Sequence, residues 1–373
     1  MAGNTPDDEE IRDLSPEDHA DIAALAAVAF PVTQSRFVLP GETGGKVITV
    51  DGKLVAASLL RIFRLPSGRR VGFIAWLMTH PQYRGRGLAM KLVEASTTRL
   101  SEQRCEAVVT DVEGFNTGSA NVFHRAGYQR QSVWQQFRRW NPLDTVWLWV
   151  RCGYAIDPGH FLWVTDAQPG APSSWRSRAD AILLNTALAL FALSVGGGVF
   201  LAGEAGLPSV ATMAAFFVGV AGLLGVRELG MRVVASWHRQ PLEYRAWSGG
   251  CGMALLIGIG FGKTMPLPGN LYPPGDGWST RDYRAVLGQG AIVSALLVAG
   301  LILAGSWARG AAGGSFIGEV GLALVFVGKP LLVFDTLVAI APFEGFNGRH
   351  LRDYNRTAWV ALSLLAIGVF FRA

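Results

Sequence analysis

Residues His80-Pro81-Gln82-Tyr83-Arg84-Gly85-Arg86-Gly87-Leu88-Ala89 combine the parts of an anion-holding loop. Gly85 and Gly87 let the backbone come close to a ligand, and Arg84 and Arg86 add positive charge. A helix that starts near Leu88 offers unclaimed N–H groups and a positive dipole end. That is chemistry for a pyrophosphate, although a solvated turn would use the same residue types, so the flanking elements decide. Groups able to move a proton lie in or beyond the loop: His80, Asp111, Glu113, His124 and Tyr128. Each also has an ordinary structural use, at the end of a strand or on a solvated helix face.

The elements around the loop alternate. Ser15-Pro16-Glu17-Asp18 starts a helix that runs to about Ala27, with Ser as cap, Pro in the first turn and acids at the positive dipole end. Lys46–Val50 and Leu54–Phe63 are expected strands joined at the Asp51-Gly52 turn, and Val71–Met78 pairs next. A helix over about 88–103, a strand 105–111, a helix over about 117–126 and a strand 128–139 follow. The glycine-arginine loop thus sits between a strand and a helix.

Composition then divides the chain. Of 373 residues, 50% are hydrophobic and only 16% charged, with a positive mean hydropathy, which excludes disorder for most of the chain and argues against a single compact soluble domain. Cys105, Cys152 and Cys251 are too few and too scattered for a disulfide framework or a cysteine zinc site. Residues 1–175 carry 18 basic and 18 acidic side chains, whereas residues 176–373 carry 15 and 10. The net charge of +5 therefore lies wholly in the second part and is not a nucleic-acid footprint. The break falls at the Pro/Gly/Ser run Gln168–Ser174. The first ten residues are polar and acidic and show no signal peptide.

Two motifs in order give the first part a family resemblance. Gln82-x-x-Gly85-x-Gly87 after a strand and opening a helix resembles motif A of the GNAT acetyltransferases. Asn116-x-x-Ser119-x-x-Val122-Phe123-x-x-x-Gly127-Tyr128 is similar to that family's second motif, usually Asn-x-x-Ala-x-x-Leu-Tyr-x-x-x-Gly-Phe. The resemblance covers about residues 10–140. It implies an α+β fold, a mixed splayed sheet flanked by helices, with acetyl-CoA as co-substrate and no metal. It implies that the backbone of Gln82, Arg84, Gly85, Arg86, Gly87, Leu88 and Ala89 holds the pyrophosphate. Leu77 and Met78 would hold the pantetheine arm and polarise the thioester, with Asn116 and Phe123 beside the arm. Direct attack by an amine needs a base, oxyanion donors and often an acid. Phe123 stands where the family usually has Tyr and cannot donate a proton, and Val71–Thr79 has no carboxylate. Asp111, Glu113, His80, His124 and Tyr128 remain as candidates, beside catalysis by positioning alone.

The second part has apolar runs at roughly 180–202, 209–226, 286–305, 317–341 and 357–371, and a shorter one at 251–262. About 20 residues cross a bilayer. The distribution of Arg and Lys favours five spans, a non-spanning 251–262 segment and a cytoplasmic N-terminal domain. Trp140, Trp147, Trp149, Trp163 and Trp175 precede the first span and suit an interfacial segment, or the aromatic core of the terminal sheet. Glu228, Lys329 and Asp335 form an intramembrane polar set, with Glu344 at the rim. Arg227-Glu228-Leu229-Gly230-Met231, with Pro-Leu-containing segments and Pro342-Phe343-Glu344-Gly345 downstream, resembles the membrane-embedded site-2 metalloproteases over about 180–371. The resemblance places the family's zinc ligands at Arg227, Met231 and Glu344. Arg and a thioether cannot make that site, which makes zinc proteolysis improbable.

The expected organisation is an acidic flexible N-terminus (1–9), a GNAT-like domain (10–165), a linker (166–178) and a multi-pass membrane domain (179–373). The expected function is a cell-membrane-tethered N-acetyltransferase. Its partners would be an amine-bearing small molecule, peptide or protein and the lipid bilayer, not nucleic acid. The alternative is a non-catalytic acyl-CoA-sensing regulatory or scaffold protein on a pseudoprotease domain.

Overall fold

The computed structural model describes residues 8–39, 44–165, 174–196, 198–201, 206–275, 278–340 and 343–372. Most of the expected linker, residues 166–173, lies outside the described residues, as does Pro342. The chain forms two compact units. The first comprises Met1–Val112, Gly118–Gly153 and Leu162–Ala171, and the second Glu113–Thr117, Tyr154–Phe161 and Pro172–Ala373.

The first unit is built around a seven-stranded mixed sheet. Up to residue 165 the elements run β1 (Glu9–Asp13), α1 (His19–Ala29), α2 (Val32–Ser35), β2 (Gly44–Val50), β3 (Lys53–Arg64), β4 (Arg70–Thr79), α3 (Leu88–Glu102), β5 (Ala107–Glu113), α4 (Thr117–Arg125), β6 (Gln129–Gln131), α5 (Val133–Cys152) and β7 (His160–Val164), with Glu113, Thr117, His160 and Phe161 counted in the second unit. The strand order is β1-β2-β3-β4-β5-β7-β6. The first four strands are antiparallel, β4 and β5 are parallel, and β6 and β7 are antiparallel. Side-chain alternation along β2 and β3 sends Val47, Ala57 and Leu59 to one face, against Ile22 and Leu25 of α1. Ile48, Val50 and Ala56 go to the other face, against Leu88 and Leu92 of α3. On that face Ser58 and Ser96 share a buried hydrogen bond of 2.7 Å between β3 and α3.

Three expectations need correction. Glu9, placed in the flexible tail, pairs with Val50 in β1. The strand expected over 128–139 is only the short β6, and α5 follows at once. Ser132 Oγ accepts from Gln135 N and Gln135 Oε1 accepts from Ser132 N, a capping box legible as Ser-x-x-Gln. The α5 axis then breaks at Asn141 (φ 58°), whose side chain accepts from Asp144 N and re-caps the chain ahead of Pro142. Finally, the tryptophans are mostly core rather than interfacial. Trp140, Trp149 and Trp163 are buried, and Trp149 Nε1 donates to Gln136 Oε1 at 2.6 Å. Trp147 and Trp175 are exposed.

The second unit is helical: α6 (Ser174–Ser194), α7 (Gly198–Leu201), α8 (Val210–Trp237), α9 (Cys251–Phe261), α10 (Arg284–Ala311), α11 (Phe316–Thr336), α12 (Asn347–Tyr354) and α13 (Arg356–Arg372). A small antiparallel pair, β8 (Glu243–Arg245) with β9 (Asn270–Tyr272), brackets α9 in sequence. Among the described residues, three helices are long and apolar enough to cross a membrane: α8, α10 and α11. The other expected spans correspond to α6, whose first five residues include Arg176 and Arg178, and to the 17-residue α13. Small residues bring the long helices together. A Cβ on Gly230 would lie 2.6 Å from the Ser294 backbone, and one on Gly219 would lie 2.7 Å from the Ala323 side chain.

Candidate functional site

The glycine-arginine loop is held at both ends and open at its crest. His80 N donates to Val55 O, and His80 Nδ1 accepts from Gln82 N at 3.3 Å, closing a tight turn over Pro81–Tyr83. Tyr83 N and Arg84 N donate to His80 O and Pro81 O. The amides of Gln82, Tyr83 and Arg84 are therefore engaged inside the turn, which narrows the expected anion cradle to Gly85 onward. Arg84 folds back, donating to Ala29 O and Thr79 O, and so clamps the loop rather than projecting from it. Arg86 lies 5.0 Å above the Tyr83 ring. Leu88, buried among Ile48, Val55 and Ala56, anchors the start of α3.

Gly85 and Gly87 both have φ of +81°, a conformation that disfavours L side chains, and Gly87 is the N-cap of α3. A Cβ at either would meet no atom within 4 Å, so the crest faces open space. Left-handed glycines, an N-cap and the unclaimed amides of a first helical turn form a backbone cradle for an anion. The donor set fits the pyrophosphate of acetyl-CoA.

Beyond the loop, the sheet splits. The β4–β5 ladder joins only Val71–Phe73 to Ala107–Val109. Thr110 Oγ1 then donates to Ile74 O at 3.0 Å, and a register shift in the β3–β4 ladder passes over Ala75. From Trp76 to Thr79, β4 stays paired with β3 but has left the β5 ladder. Leu77 and Met78 lie on this stretch, with Met78 buried and Leu77 half-buried.

The acid–base candidates differ in setting. Asp111 is half-buried on β5. Glu113 ends β5 and is buried; its Oε1 accepts from Phe115 N, and its Oε2 has no hydrogen-bond partner among the described residues. Burial pushes the Glu113 carboxyl above the usual range, against the pull of Arg349 at 4.0 Å. Asn116 is exposed, with its N–H donating to Glu113 O. Both belong to the second unit. Phe123 is buried edge-on against Tyr128, whose hydroxyl lies 2.7 Å from Thr97 Oγ1. His124 is exposed.

In the second unit each expected polar residue has its own neighbour. Arg227 donates to both Asp335 oxygens, at 2.5 and 3.0 Å, and to Gly269 O. Glu228 accepts from Arg178 and Arg232. Lys329 Nζ lies 5.7 Å from the Phe370 ring centroid. Glu344 accepts from Arg349 rather than meeting Arg227, so the partner that faces Arg227 is Asp335. Sequence reasoning missed this pair because 108 residues separate its members.

Residues 11–128 match the Acetyltransferase (GNAT) family. Over 59 residues the chain is 30% identical to N-alpha-acetyltransferase 30 of Saccharomyces cerevisiae, covering 16% of this chain and 34% of that protein. It is 37% identical over 59 residues to N-alpha-acetyltransferase MAK3 of Arabidopsis thaliana, covering 16% and 31%. The chain thus spans about a third of the length of the curated relatives it matches. Among solved structures, Arabidopsis thaliana Naa50 with a bisubstrate analogue is similar at 16% identity and a TM-score of 0.32, covering 42% of this chain and 98% of that one. A GNAT acetyltransferase domain therefore lies at the N-terminal end, with acetyl-CoA as its co-substrate.

Proposed function

We propose that the protein is a membrane-tethered N-acetyltransferase that moves an acetyl group from acetyl-CoA to an amine, with its N-terminal domain on the cytoplasmic side. The observation that carries this reading is the pair of left-handed glycines at the N-terminus of α3, open to a ligand and directly after β4. In this reading the amides from Gly85 to Ala89 hold the pyrophosphate. The β4 backbone at Leu77 and Met78, released from the β5 ladder, holds the pantetheine arm and polarises the thioester carbonyl. Phe123 lies beside the arm. The amine attacks the carbonyl carbon, the carbon–sulfur bond breaks, and CoA leaves as a thiolate that takes its proton from solvent water. Asp111, on β5 of the first unit, takes the amine proton in this scheme. His80 is less available for this role, since its Nδ1 is engaged in capping the turn. The two curated relatives are N-alpha-acetyltransferases, which makes a peptide α-amine the first acceptor to try.

The membrane part of the proposal rests on α8, α10 and α11. We read the second unit as a site-2-protease-like scaffold without zinc ligands, in which Arg227 and Asp335 form a buried ion pair. The non-catalytic acyl-CoA sensor is favoured by two observations: Phe123 has no proton to give, and the Tyr128 hydroxyl is bonded to Thr97. The purified full chain separates the readings. Acetyl-CoA binding with thiol release on peptide amines is expected. Binding without release across a broad amine panel would favour the sensor, and no binding would refute both.

A further inference from the structure

We propose that the second unit carries a binding site for a phosphate-bearing anion, in a cleft walled by Arg281, Arg284, Arg349, Arg352, Arg356 and His350. The cleft has a volume of about 500 Å³ and gathers three stretches: the lead-in to α10, the α12 helix and the start of α13. Asp353 is the one carboxylate in its wall among the described residues.

Internal bonds already hold three of the five guanidiniums in place. Arg352 lies 3.2 Å from Asp353 Oδ1 and donates to Ala339 O at 2.8 Å. Arg349 donates to Glu344 at 3.1 Å, and Arg284 donates to the Asp353 carbonyl. Arg281 and Arg356 are exposed, and among the described residues their side chains have no bonded partner. Converging guanidiniums repel one another unless an anion joins them, and their planar forks match phosphate oxygens.

His350 supplies an independent observation. Its side chain lines the cleft at 8% exposure, and its Nε2 has no hydrogen-bond partner among the described residues. Its ring rests edge-on against Phe115, 4.2 Å between centroids. Burial, helped by Arg349 and Arg227, pushes its pKa down to about 3, so it is neutral at pH 7. A neutral imidazole can still present an N–H at Nε2. A buried polar atom left unpaired marks a missing partner, and here an oxygen acceptor inside a ring of positive charge would supply one.

Arg284 and Arg356 open α10 and α13, and α10 is 28 residues long and apolar enough to cross a bilayer. The anion can therefore be the headgroup of an acidic lipid or a free phosphate compound, and two probes distinguish these. The full chain in nonionic detergent is titrated with inorganic pyrophosphate by calorimetry. The full chain in phosphatidylcholine nanodiscs containing phosphatidic acid is examined for retained lipid by native mass spectrometry. Both are repeated with the Arg281→Gln/Arg356→Gln double variant, whose altered residues carry no internal bond.

The wild type is expected to bind at least one probe saturably. The double variant should lose about tenfold or more in affinity, the scale of one charge-assisted hydrogen bond, with unchanged acetyl-CoA affinity. Retention of phosphatidic acid alone assigns the lipid headgroup, and binding of pyrophosphate assigns a soluble ligand. Binding of neither probe by the wild type, or equal binding by the variant, would overturn the proposal. A parallel loss of acetyl-CoA affinity would also overturn it, since the cleft would then belong to the cofactor site. Failure of acetyl transfer alone leaves the site standing.

Discussion

Gly87 combines a left-handed backbone with the N-cap of α3, so it tests the cofactor loop most directly. A Gly87→Ala substitution meets no steric block but strains the backbone by about 1–2 kcal/mol. Acetyl-CoA affinity should fall by about tenfold, the equivalent of that strain, with a small change in melting temperature. Unchanged affinity in calorimetry would remove the loop from the cofactor site. Glu113 makes a prediction about pH. Burial raises its carboxyl above the ordinary Glu value of about 4.3, so its charged form disfavours folding and stability should rise as pH falls through that raised value. The Glu113→Gln variant should flatten this pH dependence in thermal unfolding, and an unaltered profile would contradict the burial effect. In the second unit, the Arg227–Asp335 pair is buried on both sides. Arg227→Met or Asp335→Leu alone leaves an uncompensated charge and should cost about 3–5 kcal/mol. The double variant should recover much of that loss in thermal unfolding, and additive losses would mean that the two do not act as a pair.

Helices were legible where local chemistry declared them. Ser15 and Asp18 form the expected N-terminal cap of the first helical segment, and the run from Leu88 became α3. The Ser132-x-x-Gln135 box was equally local, yet strand expectation over 128–139 hid it. The β1 strand was invisible for a physical reason. Glu9–Asp13 has a single apolar residue, Ile11, and is a strand only because β2 offers it an edge. Helix packing in the second unit turns on glycine rather than on large apolar side chains. Gly230 meets the Ser294 backbone where α8 passes α10. Gly230→Leu should therefore separate these helices and lower the unfolding temperature in detergent, whereas Gly300→Leu, in open space on α10, should not. Equal tolerance of both would contradict the close approach.

Across the molecule, the two units differ in what makes them stable. The first buries a core on both faces of a sheet. The second leaves Phe217, Val218 and Leu229 of α8 and Leu296, Leu303 and Trp307 of α10 exposed, which suits lipid. The membrane proposal predicts that the chain stays in the membrane pellet after alkaline extraction. It also predicts that a tag in the 263–285 loop is labelled from the cytoplasmic side only. Labelling from outside would refute the five-span arrangement.

The sequence by itself determined what is local. The glycine-arginine loop between strand and helix, the second GNAT-like motif, the break in composition near residue 170 and the apolar runs all depend on neighbours along the chain. Only the tertiary structure decided which loop amides are engaged within the turn, where β4 leaves β5, and that Arg227 meets Asp335 rather than Glu344. It also decided that the arginines beside α10, α12 and α13 share one cleft. Such facts follow from residues far apart in sequence meeting in space, where hydrogen bonds and charge pairing depend on distances that residue spacing does not encode.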